Sequence, residues 1–314
     1  MTVIENRSTH DISRTLQRST LSVPLSSERF IAKAHLRGAD TISLDLEDGV
    51  AASAKEEARR RLPGAVASVG RWGARVRVRL NRPLDLLVRD IEAAVIPGVA
   101  ELAIAKVDSA GHVRLVSEFV GQLERERGLP AGGITLSASI ETAKALSLAN
   151  EIAAADPRLT SIGLGSLDIA AACGFEATSE ALYLPKQIVM YAARAAGIAS
   201  GGYIGSVADY TDLESLRKIV RWSRKLGFKG GSAIHPDQVR ILNEEFAPSI
   251  AECHEAQQII AAAEDAFARG HGAFSYNGKM VDMPVVNAAR DTLALAKAIR
   301  LHENRLAMLM AGQS

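Results

Sequence analysis

Aromatic residues make up only 4% of the 314 residues, and cysteine occurs twice, as Cys173 and Cys253. The two cysteines lie far apart with no CxxC or Cys/His spacing, which excludes a disulfide framework and a zinc site and leaves both as expected small buried apolar residues. Neither charge sign is in excess: 37 Lys and Arg against 36 Asp and Glu give a net +1. No broad field is available to hold nucleic acid or an acidic membrane surface, so an anionic ligand must be held by local cations. No apolar run approaches the ~20 residues of a membrane span. The first residues, MTVIENRSTHDISRTLQRST, lack the apolar centre of a signal peptide, so a cytoplasmic location is expected. The glycine-containing stretches GLGS and GGYIG match neither dinucleotide nor P-loop spacing. There is no internal repeat and no low-complexity tract.

What is present is a globular composition, 47% hydrophobic and 23% charged. Six β-rich runs recur: TLSVPL (20–25), TISLDLE (41–47), ARVRVRLN (74–81), ELAIAKV (101–107), ITLSASIE (134–141) and SIGLGS (161–166). Two weaker, glycine-containing runs follow at 198–204 and 230–234. Between them lie segments with apolar residues three and four apart, as in amphipathic helices. An open doubly wound sheet carries the same local pattern, but eight β/α units ending near residue 246 predict an α/β fold of the (β/α)8 TIM-barrel type over 20–247. Residues 1–19 form an amino-terminal extension. Residues 248–314 read as a helical extension: a helix over about 249–269, a Gly-rich turn HGAFSYNGKMVD, and a helix opened by Asp282 and Pro284. That segment is too short for an independent core, so it is expected to pack on the barrel or reach a neighbouring subunit, favouring a homo-oligomer.

Barrel enzymes collect their reacting groups at the carboxyl ends of strands. Here those ends are Ser26 and Ser27, Glu47 and Asp48, Arg79 and Asn81, Lys106, Glu141, Ser166 with Asp168, and His235. Glu141 and Asp168 end consecutive strands, about 4.8 Å apart, so two carboxylates can share one hard cation with positions left open, the pattern of a Mg2+ site. The structural alternative makes Asp168 an N-cap of LDIAAACG and pairs Glu141 with a lysine, and spacing alone leaves both readings open. Alternation in TISLDLE sends Ser43, Asp45 and Glu47 into the barrel, where Arg79 or Lys106 must pair with the acids; for Asp45 a structural ion pair is the preferred reading. Arg75, Arg77 and Arg79 share one face. Three arginines are not expected inside together, so Arg75 and Arg77 lie at the base or are turned out by a bulge, and Arg79 is the candidate for ligand binding. His35, His112, His254, His271 and His302 are expected on the surface, while His235 either orients the mouth or caps a helix.

SVPLSSERFIAKA, ADTISLDLEDGVA, VRLN, ASIETAKAL, GLGSLDIAAACG, AIHPDQVRILNEEF and GAFSYNGKMVDMP, in that order, make the chain resemble the citrate lyase β-subunit and malyl-CoA lyase family of the HpcH/HpaI aldolases, from about residue 20 to 300. The resemblance implies a Mg2+-dependent (Mn2+ also admissible) barrel, trimeric or hexameric, that cleaves or forms carbon-carbon bonds in 3-hydroxy-acyl-CoA thioesters. It makes Glu141 and Asp168 the metal ligands, Arg79 the group facing the substrate and enolate oxygen, and Glu47 and Asp48 acids beside the metal. It places Asp282 as a proton donor or acceptor lent to the neighbouring subunit. Lys106 stands where relatives have a PK pair, with Ala105 before it here. Ser27 replaces the arginine of VPGxRP, which points away from true citrate lyase towards the malyl-CoA lyase branch, where Ser26 and Arg29 bind CoA or the departing acid. The implied reaction releases acetyl-CoA and a 2-oxo acid (pyruvate or glyoxylate) from citramalyl-CoA or malyl-CoA. The competing readings are citryl-CoA lyase, a malate-synthase or thioesterase activity, an aldolase on free oxo acids, and a non-catalytic acyl-CoA-binding scaffold.

Overall fold

The structure, a computed structural model, describes residues 16–208 and 210–311. Most of the expected amino-terminal extension lies outside them. The chain divides after Phe246 into two compact units.

The first unit alternates strands and helices: β1 (Ser19–Pro24), α1 (Glu28–Ala34), β2 (Thr41–Asp45), α2 (Lys55–Val69), β3 (Arg75–Leu80), α3 (Leu84–Ala94), β4 (Glu101–Val107) and α4 (Ala110–Glu126). It continues through β5 (Thr135–Ile140), α5 (Ala143–Ser147), α6 (Ala149–Ala153), β6 (Leu159–Leu164), α7 (Ser166–Cys173), α8 (Ser179–Ala195), β7 (Ala199–Gly201), α9 (Leu213–Lys225), β8 (Gly231–Ala233) and α10 (Pro236–Glu245). All eight strands are parallel, in the order β7-β6-β5-β4-β3-β2-β1-β8. The remaining seam, between β7 and β8, is spanned by a bridge in which the Gly202 N–H donates to the Gly230 carbonyl at 2.8 Å. This is the expected barrel, nearly closed. Gly230 has no substitute at the seam, because a Cβ there would sit 1.8 Å from the carbonyl oxygen of Gln17.

Period-two alternation sorts the side chains into two layers. Val23, Leu44, Val78, Leu102 and Leu136 face outward into the apolar core between strands and helices. The inward face is polar: the register aligns Ser22, Ser43, Arg77, Glu101 and Thr135 in one row and Pro24, Asp45, Arg79 and Ala103 in the next. All three arginines share this interior, against expectation, while Arg75 and Arg77 do lie at its base, the first of the two placements expected for them. Glu101, fully buried, lies 3.2 Å from Arg75 Nε and 2.6 Å from Arg77 Nη2, which neutralises the amino-terminal end of the row. No bulge turns β3 outward.

Three smaller expectations also change. Cys173 is exposed and Cys253 half-buried, because each sits on a helix face that the core does not reach. His112 is buried in the first turn of α4, and burial together with the charge of Arg82 keeps its imidazole below the usual range despite Asp108. The Gly-rich turn of 271–282 is a β-hairpin.

That hairpin belongs to the second unit, which contains α11 (Ile250–Ala268), β9 (Phe274–Tyr276), β10 (Lys279–Val281) and α12 (Met283–Ala311). Asn277 and Gly278, both at positive φ, form the two-residue loop between antiparallel β9 and β10, the geometry that Asn-Gly favours. Ala263, Val281 and Val286 form a small apolar cluster with Ile259, Phe267, Phe274 and Tyr276. No described helix is long and apolar enough to cross a membrane.

Candidate active site

The carboxyl ends of β2 to β6 assemble one charged cluster. At the end of β2 the Asp45 carboxylate accepts the backbone N–H groups of Glu47 (2.8 Å) and Gly49 (3.0 Å), which folds the LEDG turn back over the strand. Gly49 is required there, since a Cβ would fall 2.6 Å from Asp45 Oδ2. Asp45 also lies 3.0 Å from Arg79 Nε, so it is a structural ion-pair partner, as preferred from the sequence. The turn presents Glu47, almost fully buried, between Arg79 Nη2 and Lys106 Nζ, the latter at 2.5 Å. Asp48, more exposed, is 3.2 Å from Lys106 Nζ and 3.3 Å from Arg79 Nη2. Arg79 thereby places two of its nitrogens, Nε and Nη2, against acids.

Lys106 reaches this position through an irregularity. The β4–β5 register slips between Ile104 and Val107, so Ala105 and Lys106 together oppose one residue of β5, and Lys106 takes φ +50. A left-handed non-glycine residue costs about 1 kcal/mol. In return its N–H turns towards Glu141 Oε1 at 3.3 Å, while its ammonium contacts Glu47 and Asp48 and comes within 3.8 Å of Asp168 Oδ1. Burial opposes the ammonium charge, but the hydrogen bonds and charges of Glu47 and Asp48 outweigh it and hold Lys106 well above its usual range.

Glu141 follows β5 and is nearly buried. Burial is the largest cause pushing its carboxyl up to about 7, and the negative charges of Asp168 and Glu47 add to it against hydrogen bonds from Ser139 and the Lys106 N–H. Asp168 stands in the first turn of α7, whose N-cap is Gly165, so the capping alternative for Asp168 does not hold. The alternative pairing of Glu141 with a lysine is limited to the Lys106 backbone N–H. Gly165 leaves the space that Glu141 fills: a Cβ there would be 2.6 Å from Glu141 Cγ.

The cluster is short of positive charge. Asp45, Glu47, Asp48, Glu141 and Asp168 bring five carboxylates. Arg79, Lys106 and Lys55 bring three cations, so with every acid ionised 5 − 3 leaves an excess of two negative charges, and this crowding adds to the burial that pushes the Glu141 carboxyl up to about 7. A divalent cation between Glu141 and Asp168 matches both the sign and the size of that excess, and two carboxylate ligands with open positions suit Mg2+ better than a closed cage. The residues therefore fit the group that the sequence pattern implied.

Of the residues singled out in the sequence, Glu47, Asp48, Arg79, Lys106, Glu141 and Asp168 come together. Ser26 lies beside the LEDG turn, its hydroxyl donating to the Gly49 carbonyl at 3.3 Å. Arg29 is exposed, with its guanidinium over the Phe30 ring at 5.2 Å. Asn81 is structural: its amide donates to Leu46 O and Asp90 Oδ2. His235 caps α10, with Nδ1 accepting from the Asp237 N–H at 3.3 Å and its ring stacked on Tyr210. Asp282 is in the second unit, where its carbonyl accepts the Val286 N–H at the start of α12. Sequence reasoning missed Lys55, whose ammonium donates to Leu46 O (2.9 Å), Glu47 O (3.0 Å) and Asn81 Oδ1 (2.6 Å) and so fixes the turn carrying Glu47. It also missed Gly165. Neither has a signal in strand periodicity.

The family model for HpcH/HpaI aldolase/citrate lyase matches residues 18–236, a span that contains every member of the cluster. The citrate lyase subunit beta of Leuconostoc mesenteroides subsp. cremoris is 34% identical over 291 residues, covering 91% of this chain and 95% of that protein. The L-malyl-CoA/beta-methylmalyl-CoA lyase of Rhodobacter capsulatus is 34% identical over 299 residues, covering 87% and 92%. Among solved structures, protein CitE from Mycobacterium tuberculosis, in complex with magnesium, acetoacetate and coenzyme A, superposes with a TM-score of 0.73 at 28% identity over 90% of this chain and 99% of that one. The barrel, the acidic cluster at its carboxyl end and these likenesses agree, and the chain belongs to the HpcH/HpaI aldolase/citrate lyase family of carbon-carbon lyases.

Proposed function

We propose that this chain is a Mg2+-dependent lyase that cleaves a 3-hydroxy-acyl-CoA of the citramalyl-CoA or malyl-CoA type into acetyl-CoA and pyruvate or glyoxylate, reversibly, in the cytoplasm. The observation that carries the reading is the surplus of carboxylates over cations, five against three, around Glu141 and Asp168, with Arg79 and Lys106 on its border. The magnesium complex of the CitE neighbour and the malyl-CoA lyase relative support the cofactor and substrate class.

Glu141 and Asp168 would hold the ion, with Mn2+ as the other hard cation the set accepts. When bound, it supplies Lewis-acid polarisation of the substrate's hydroxyl or carbonyl oxygen. Arg79, held in place by Asp45 and Glu47, would donate to the thioester oxygen that gains charge as the enolate forms. Lys106 and Glu47 keep that guanidinium and the Asp48 carboxylate in place. Ser26 and Arg29 line the approach for CoA. Asp282, supplied by a neighbouring copy in a trimer or hexamer, protonates the enolate carbon on cleavage and removes that proton in the reverse direction.

The test is turnover of citramalyl-, malyl- and citryl-CoA by the purified chain, with and without Mg2+, reading oxo acid, acetyl-CoA and free thiol separately. Stoichiometric oxo acid and acetyl-CoA are expected, abolished by chelator and by Glu141→Ala or Asp168→Ala. Undiminished turnover in either variant would defeat the proposal, as would free thiol released with each turnover.

A further inference from the structure

Asp90 is fully buried on the core face of α3, in line with Leu87, Ile91 and Ala94. A lone acid on an apolar face needs partners, and this one is the hub of a chain of four polar side chains that runs beneath the mouth. Its Oδ1 accepts from Arg59 Nε at 2.8 Å, and its Oδ2 accepts both the backbone N–H of Asn81 (2.8 Å) and the Asn81 side-chain amide (2.7 Å). The same amide donates to Leu46 O, and Asn81 Oδ1 accepts from Lys55 Nζ, whose other two bonds go to the carbonyls of Leu46 and Glu47. Lys55 and Arg59 stand four residues apart on α2, so both cations share one face of that helix.

The chain acts where β2 and β3 part. Their ladder runs as far as the Leu46 N–H donating to Arg79 O at 3.1 Å, and its next rung would be the Asn81 N–H to Leu46 O. Instead Asp90 takes the Asn81 N–H, and Leu46 O accepts two side-chain donors. Stability alone does not call for such a set, because a buried ion pair exchanged for apolar residues often leaves a fold as stable or more so. What the set does is hold the carbonyls of Leu46 and Glu47 while Asp45 holds the N–H groups of Glu47 and Gly49. Gripped on both sides, the turn sets the Glu47 carboxylate between Arg79 and Lys106. We propose that Asp90 is a positioning residue of the active site: through Asn81 and Lys55 it sets the turn after β2, and through Glu47 the places of the Arg79 and Lys106 cations. It touches no substrate. The proposal deepens the reaction proposed above and rests on it for the kinetic readout alone; the order of the turn is read without substrate.

Hydrogen exchange and turnover of the full chain test it together. Asp90→Ala should cut amide protection over residues 46–50 by at least about tenfold while β5 and β6 keep theirs. It should lower kcat about 100-fold with KM little changed, since the cations it displaces act on charge that develops in the transition state. Mn2+ affinity should stay at the wild-type value, because Glu141 and Asp168 are not on the chain. The pair Arg59→Gln/Asp90→Asn is neutral, keeps an acceptor for Asn81 and reverses the bond to position 59, so it should restore both protection and kcat. Lys55→Met, at a half-buried site, covers the chance that Asp90→Ala misfolds and should show the same two losses. Undiminished protection over 46–50 in Asp90→Ala or Lys55→Met overturns the proposal whatever the substrate is. Lost protection with wild-type kcat also overturns it, leaving Asp90 a structural role only. A wild type that turns over none of the thioesters counts against the proposed reaction instead, and the exchange result then decides the role of Asp90 by itself.

Discussion

Gly165→Ala offers a sharp probe of the site because it perturbs Glu141 without touching its carboxylate. The backbone at Gly165 (φ −73, ψ 103) is open to alanine, so no conformational strain is introduced. The added methyl would lie 2.6 Å from Glu141 Cγ and 3.0 Å from Cδ, where an ordinary carbon contact needs 3.5–4.0 Å. Glu141 must therefore withdraw by about 1 Å. Overpacking of this kind costs roughly 1–3 kcal/mol, offset in part by the 0.4–1 kcal/mol that alanine gains over glycine through the unfolded chain. The melting temperature should then fall by only a few degrees. Function should suffer more: a displaced ligand carboxylate is expected to weaken Mg2+ or Mn2+ binding by 10–100-fold, with a matching loss in kcat/KM. Titration calorimetry with Mn2+, initial rates and thermal unfolding on one preparation separate the two effects. Removing the crowded atoms in the double variant Gly165→Ala/Glu141→Ala should cost less stability than the sum of the single changes. Wild-type metal affinity and turnover in Gly165→Ala would refute the placement of Glu141 as a ligand.

Lys186, nearly fully buried on the core face of α8 with its ammonium 5.6 Å from the Tyr203 ring centroid, has its amine lowered to about 7 by burial. The unfolded chain protonates near 10.5, so as pH falls from about 10 to 7 the unfolded state gains the proton first and stability is lost by several kcal/mol, the loss being complete below 7. Lys186→Met should flatten this slope and raise stability at pH 7; parallel denaturant-unfolding curves for the two proteins across that range would contradict it. At Lys106, glycine tolerates φ +50 and alanine does not, so Lys106→Gly should be more stable than Lys106→Ala by about 1 kcal/mol while the two lose activity equally. Equal stabilities would show that the left-handed backbone is relaxed in the variants.

Much of the barrel was legible because its two layers differ so sharply in chemistry. Runs such as TISLD and RVRVRL put an apolar residue at every second place, which marks both the strand and its outward face. β7 and β8 were faint because glycine and serine carry little strand preference, and each proves to be three residues long. The arginine row of β3 was misjudged because its counter-charge, Glu101, comes from the first position of the next strand, where periodicity assigns no partner. The β9–β10 hairpin was missed although YNGK carries the strongest short hairpin signal, since the aromatic and charged residues around it form no apolar alternation. Within the site, residues at strand ends were found by position alone. Lys55 and Gly165 were not, because one acts from a helix across the LEDG turn and the other acts by having no side chain.

The slip in β4 supplies more than a place for one amine. A regular strand would spend the Lys106 amide on its neighbour β5 and have only a side chain to give; with one extra residue, the same position offers two donors, amide to Glu141 and ammonium to Glu47, on opposite flanks of the mouth. Shortening the chain by Ala105 would leave every charged residue of the cluster in the sequence, and still uncouple the two halves of the mouth. Chain length at this one step therefore governs electrostatics that no exchange of side chains could reproduce.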